Sequence, residues 1–114
     1  MGGMDIEIKF FETTDGKQPL RDWIDGLDTP TIIRIVAGIA RMAGGNFGDS
    51  KPVGEGVSER RFGFGPGYRV YYAMDGQQIV ILLVGGTKKR QQRDIEMAKQ
   101  FWNDYKKNKR KKGQ

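Results

Sequence analysis

The chain has 114 residues, 37% of them hydrophobic and 30% charged, which suits one compact domain and leaves no room for two. It contains neither cysteine nor histidine, so disulfides, thiolate nucleophiles, Cys- or His-based zinc sites and the commonest general base are excluded. The net charge of +6 lies toward the C-terminus: residues 1–56 carry 6 basic and 9 acidic groups, residues 57–105 carry 8 and 5, and residues 106–114 carry 6 and none. Such asymmetry points to a polyanionic partner, most often nucleic acid, although a basic tail alone also serves solubility. With no long apolar run and no basic-then-apolar leader, neither a membrane span nor a secretory signal is expected, and a cytoplasmic location is.

Met4 to Phe11 alternates Asp5, Glu7 and Lys9 against Ile6, Ile8 and Phe10, the period-two pattern of a half-buried strand. After the turn-forming Thr14-Asp15-Gly16-Lys17, Pro19 suits a first helical position, and Leu20, Trp23, Ile24 and Leu27 follow at helical spacing. Asp28 or Thr29 can cap a second helix, with Pro30 at its start. Along it Ile32, Val36 or Ile35, Ile39 and Met42 repeat on one side until Gly44-Gly45, so the two helices are expected to form a hairpin. Residues 44–56 hold five glycines and Pro52 and read as an irregular loop. A three-stranded meander is predicted from Ser58 to Phe62, Tyr68 to Met74 and Gln78 to Val84, joined by Gly63-Phe64-Gly65-Pro66-Gly67 and by Asp75-Gly76. The run Ile79 to Val84 is apolar at every position and therefore belongs at the centre of a sheet covered on both faces. Ile95, Ala98, Trp102 and Tyr105 share a helical face, predicting a third helix from about Lys89 to Lys107. Residues 4–105 then form a single α+β domain, and 106–114, devoid of apolar residues, are expected to be a disordered basic tail.

Several motifs fail on spacing or context. Gly63-x-Gly65-x-Gly67 leads into a strand, leaving no helix N-terminus for a phosphate, and Gly85-Gly86-Thr87-Lys88 lacks phosphate-loop spacing. Glu7-x-Lys9 and the pair Asp22 and Asp25 read as polar faces, and no metal site is expected. The cations are harder to dismiss. Arg60, Arg61 and Arg69 fall on adjacent strands, and Lys88, Lys89, Arg90 and Arg93 begin just after the central strand, so one sheet end could gather them. If Tyr68, Val70 and Tyr72 face one way, alternation sends Arg69 and Tyr71 the other. There they could contact phosphate and stack on a base, or simply line a solvated sheet face. The pattern is compatible with both.

The string Glu59-Arg60-Arg61-Phe62-Gly63-Phe64-Gly65-Pro66-Gly67-Tyr68-Arg69-Val70-Tyr71-Tyr72, the apolar strand after it, Gly85-Gly86-Thr87-Lys88-Lys89 and then Asp94-Ile95-x-x-Ala98 resemble the RelE/ParE superfamily of toxin-antitoxin toxins. Within it the chain is most similar to the HigB-like addiction module killer proteins, over about residues 4–105. The resemblance implies an N-terminal strand, helical hairpin, antiparallel sheet and C-terminal helix. It also implies a ribosome-dependent endoribonuclease that cuts messenger RNA without metal or cofactor and is held inactive, in a hetero-oligomer, by a cognate DNA-binding antitoxin. In that chemistry the ribose 2′-oxygen attacks the adjacent phosphate, the 5′-oxygen leaves, and a 2′,3′-cyclic phosphate remains. Family positions carry over to Arg61 and Arg69 as phosphate clamps, since a guanidinium can bind two oxygens at once. Lys88 and Lys89 would add charge, and Lys51, Arg60, Arg90 and Arg93 further RNA contacts. With no histidine, proton transfer falls to a lysine such as Lys88 or to Tyr71, which could equally stack on a base. Two alternatives accompany this expectation: a ParE-like poison of DNA gyrase, and a noncatalytic RNA-binding protein.

Overall fold

In the computed structural model, which describes residues 5–112, the elements run β1 (Glu7–Phe10), α1 (Pro19–Asp25), α2 (Thr29–Ala43), β2 (Ser50–Gly54), β3 (Val57–Arg61), β4 (Tyr68–Asp75), β5 (Ile79–Thr87), a 3-10 turn (Lys88–Arg90) and α3 (Gln91–Lys112). Met4, at the start of the predicted first strand, and Gly113 and Gln114 of the tail lie outside the described residues. The strands form one sheet in the order β1-β5-β4-β3-β2, with β1 parallel to β5 and every other pair antiparallel. The fold is α+β, as the sequence pattern predicts.

The sheet separates two cores. On one side Ile6, Val70, Tyr72, Val80 and Leu82 pack against Leu20 and Ile24 of α1 and Ile35, Ile39 and Met42 of α2. On the other, Phe11, Val57, Tyr71, Ala73, Ile81 and Leu83 pack against Ala98 and Trp102 of α3. β5 lies between β1 and β4 with helices over both faces, which is why its residues are apolar without alternation. Between β4 and β5 the register slips once: Tyr71 faces Val84 and Tyr72 faces Leu82, so Leu83 is the extra residue of a bulge and points with Val84 toward α3. In α2, Ile35 is the buried member of the pair left open by the helical spacing, and Val36 faces outward.

Three expectations are corrected. The presumed loop 44–56 contains β2, turned into β3 through Glu55 (φ 54°) and Gly56 (φ 84°), the paired positive angles of a tight hairpin turn. Pro52 is tolerated because β2 is an edge strand. β5 continues through Gly85 and Gly86 to Thr87, three residues past its predicted end. The supposedly disordered tail prolongs α3 to Lys112. Lysine and arginine are good helix formers and favour the negative end of the helix dipole. Three contacts accompany this last stretch of the helix. Asp75, at the end of β4, accepts hydrogen bonds from Tyr105 Oη (2.6 Å) and Lys109 Nζ (2.6 Å), and the Lys106 ammonium sits 5.4 Å from the Trp102 ring centre. No helix among the described residues is long and apolar enough to cross a membrane.

The Lys109 and Tyr105 hydrogen bonds hold the Asp75 carboxyl below the usual carboxylate range. A group with a depressed folded pKa stabilises the fold above its unfolded value, about 3.9, and that stabilisation is lost as pH falls through the folded one. Asp75→Asn should cost about 0.5–1 kcal/mol at neutral pH, discounted for the exposure of Lys109, and the gap to the native protein should narrow as pH falls below the unfolded carboxylate value of about 3.9. Denaturant melts at the two pH values check this; a gap independent of pH would show that the carboxylate contributes nothing.

Candidate nucleic-acid interface

Alternation along β3 turns Val57, Glu59 and Arg61 toward α3 and Ser58 and Arg60 the other way. Across the sheet, Arg61 pairs with Arg69 and Arg69 with Gly86, while the neighbouring row is Glu59, Tyr71 and Val84. Glu59 and Arg69 therefore meet diagonally beneath the first turn of α3. Glu59 is wholly buried; its Oε2 accepts from Arg69 Nη1 at 2.7 Å, and its Oε1 accepts from Gln91 Nε2 of α3 at 2.8 Å. Arg61 Nε lies 4.0 Å from the same Oε2, and Arg61 Nη2 donates to Asp49 Oδ1 at 2.9 Å. Asp94, buried one turn along α3, rests on β5 at Gly86, where a Cβ would collide with its Oδ2. Burial raises the Asp94 carboxyl above its ordinary range, against the opposing pull of Arg90 and Arg93. Arg61 Nε, Arg69 Nε, Tyr71 Oη and Asp94 Oδ2 are buried without a hydrogen-bond partner.

This geometry divides the predicted site residues. Arg69 and Tyr71 do share a face, but α3 covers it. Tyr71 is fully buried, and burial together with the nearby Glu59 and Asp94 carboxylates drives its phenol far above the usual range. It can neither ionise near neutral pH nor stack on an incoming base, which corrects both roles expected of it. Arg69 is 8% exposed and already paired with Glu59, so it braces the site from within and does not present a free guanidinium. Arg60 is also corrected: it faces α2, its guanidinium 4.4 Å from the Phe62 ring centre and its Nη1 donating to the Arg61 carbonyl. The others reach the surface. Arg61 has a side chain 37% exposed, and Lys51, directly across from Glu59 on β2, is exposed, as are Lys88, Lys89, Arg90 and Arg93. The Lys88 backbone N–H donates to the Gly67 carbonyl (2.8 Å), which places Lys88 beside the start of β4.

Sequence reasoning gave no role to Glu59 or Asp94, though both stand in the quoted motifs, and did not single out Gln91. Glu59 carried a usable signal, an acid on the inward alternation of a strand between Val57 and Arg61. Gln91 carried none before its docking partner was known, and the motif placed Asp94 without showing what it packs against. Asp22 and Asp25 are exposed on α1, and no three carboxylates among the described residues are grouped to hold a metal.

Fold and site together define a small α+β protein with a cationic surface braced by a buried ion pair. The chain is 41% identical over 97 residues to an uncharacterized protein of Haemophilus influenzae, the match spanning 84% of this chain and 92% of that one, and it belongs to the same family. No family model matches the sequence.

Removing Arg69 alone strands a buried carboxylate. Arg69→Met is expected to cost about 3–5 kcal/mol, and Glu59→Met/Arg69→Met to recover most of it, because two apolar side chains do not leave an unpaired charge. Equal losses in single and double variants, measured by urea denaturation, would show that the pair is not what matters. Tyr71→Phe removes a hydroxyl that has no partner and should leave stability within about 0.5 kcal/mol of the native protein or slightly above it.

Proposed function

We propose that the protein is a RelE/ParE-type toxin of the HigB-like branch, a ribosome-dependent endoribonuclease that engages messenger RNA at the α3 end of the sheet. The observation that carries this reading is the gathering at one sheet end of Arg61 from β3, Lys88, Lys89 and Arg90 from the 3-10 turn after β5, and Arg93 from the first turn of α3, all outside the buried Glu59–Arg69 pair. The element order, from first strand to last helix, supports it too. Arg61 and Lys88 would hold the scissile phosphate and offset charge developing on it as the 2′-oxygen attacks. A base must take the 2′-hydroxyl proton and an acid must deliver one to the leaving 5′-oxygen. Of the four side chains first assigned to catalysis, Arg61 and Lys88 are the two that reach the surface. Arg69 acts here as a positioning residue for Arg61, through Glu59. The antitoxin, the ribosome and a cytoplasmic location belong to the same proposal.

One observation favours a second reading. The burial of Tyr71 and the pairing of Arg69 leave few groups for proton transfer, which suits a ParE-like gyrase poison or a binder that does not cut.

The test is translation of a defined messenger in vitro with the purified protein, mapping fragment 5′ ends with and without ribosomes. Arg61→Gln and Lys88→Gln are the informative variants, since both positions are accessible and substitution should spare the fold. Ribosome-dependent cuts are expected, falling about tenfold or more in each variant, the effect of losing one charge-assisted contact. Intact messenger with inhibition of gyrase supercoiling would replace the reading with the ParE-like one, and RNA binding without cleavage with the noncatalytic one.

A further inference from the structure

On the opposite face of the same sheet end lies a run of aromatic rings. Trp23 and Tyr68 have centroids 6.0 Å apart, Tyr68 and Phe64 5.3 Å, and Phe64 and Phe62 6.3 Å. Phe62 is buried, but Trp23, Phe64 and Tyr68 are each only partly covered. Their placement is specific. Trp23 lies directly on the β5 backbone at Gly85, where any Cβ would collide with its ring and crowd Leu20. Tyr68 opens β4 across from Thr87, one residue before Lys88, and a Cβ on Gly65 would come within 3.0 Å of its ring.

Cations interleave with these rings. Lys88 is bonded through its backbone to Gly67, next to Tyr68, and Arg61, whose side chain turns toward α3, stands one residue before Phe62 at the same strand end. The guanidinium of Arg34, exposed on α2, sits 3.9 Å from the centre of the Phe64 ring. Tyr68 and Arg69 are consecutive, so the strand that sends the brace of the ionic site toward α3 sends an aromatic ring to the other side. Partly exposed rings bordered by positive charge match the two needs of an unpaired nucleotide, a surface for the base and counter-charge for the phosphate. A core requires buried rings, yet these three are only partly covered, beside the strand end that carries Lys88.

We propose that Tyr68 and Trp23 form a stacking platform for an unpaired base of single-stranded RNA, at the same strand end as the phosphate contacts of Arg61 and Lys88. It rests on the RNA-binding part of the function proposed above and supplies the stacking group that buried Tyr71 cannot. Stacking is tolerant of base identity, so the platform would hold a nucleotide in place without selecting its sequence.

The experiment compares a short single-stranded RNA with an abasic ribose-phosphate oligomer of equal length and charge. Binding is read by tryptophan fluorescence and by filter retention. The native protein should prefer the base-bearing strand about 5- to 100-fold, with quenching that is absent in Trp23→Phe, where Trp102 is the remaining tryptophan. Tyr68→Leu should abolish that preference, and Trp23→Leu provides the same comparison if Tyr68→Leu does not fold. Arg61→Gln should instead weaken both oligomers alike. Equal binding of the two oligomers without quenching would overturn the platform while leaving phosphate-directed RNA binding intact. Retention of neither would overturn both.

Discussion

Glu59 and Arg69 meet in a space enclosed by β3, β4 and α3, and the placement of the C-terminal helix depends on how that charge pair is satisfied. Withdrawing a carboxylate and a guanidinium from water costs several kcal/mol each, which a single contact does not repay. The structure adds a second one, from Gln91 in the first turn of α3, so the helix docks where it completes the coordination of Glu59. Gly86 is part of the same arrangement, because only a residue without a side chain lets Asp94 lie against β5. Once α3 is seated, the face of β4 bearing Arg69 and Tyr71 is closed to solvent. Arg61 and the cations from Lys88 onward are left outside it.

The sheet distributes these roles by parity. Consecutive residues of β4 go to opposite sides, so Arg69 enters the ionic site while Tyr68 joins the aromatic run with Trp23 and Phe64. The bulge at Leu83 then returns the register of β4 and β5 to one in which Tyr72, Val80 and Leu82 share the α1 and α2 core. A single strand end thus presents charge on one side and rings on the other, joined around the edge by the loop from Gly63 to Gly67.

What could be read from the sequence was the information held in local periodicity. The alternation in the first strand, the apolar run of β5 and the helical spacing of Ala98 and Trp102 each report burial directly, and each element formed. Alternation also placed Arg69 and Tyr71 on a common face correctly. It could not say that α3 covers that face, because the cover depends on Gln91 meeting Glu59 across 32 positions. The tail was illegible for the same reason: a run of lysines looks unstructured until Asp75, 34 residues upstream of Lys109, is placed beside it. β2 was hidden differently. Its glycines and Pro52 are loop-like by composition, and only its place at a sheet edge makes them compatible with a strand.

Magnitudes also rank the arginines on the proposed reading. Arg61 shares an exposed pair with Asp49, and such pairs contribute little in water, so exchanging the carboxylate for an RNA phosphate meets small resistance. Arg69 would have to leave a buried carboxylate behind, at a cost of about 3–5 kcal/mol, before it could reach a phosphate. A ligand would need to supply that energy through Arg69 alone to make the exchange worthwhile, more than one charge-assisted hydrogen bond typically provides. The arginine most deeply embedded in the motif is therefore the one least able to touch a substrate. Its part is to keep Glu59 neutralised, so that Arg61, attracted to the same carboxylate at longer range, remains directed at the surface.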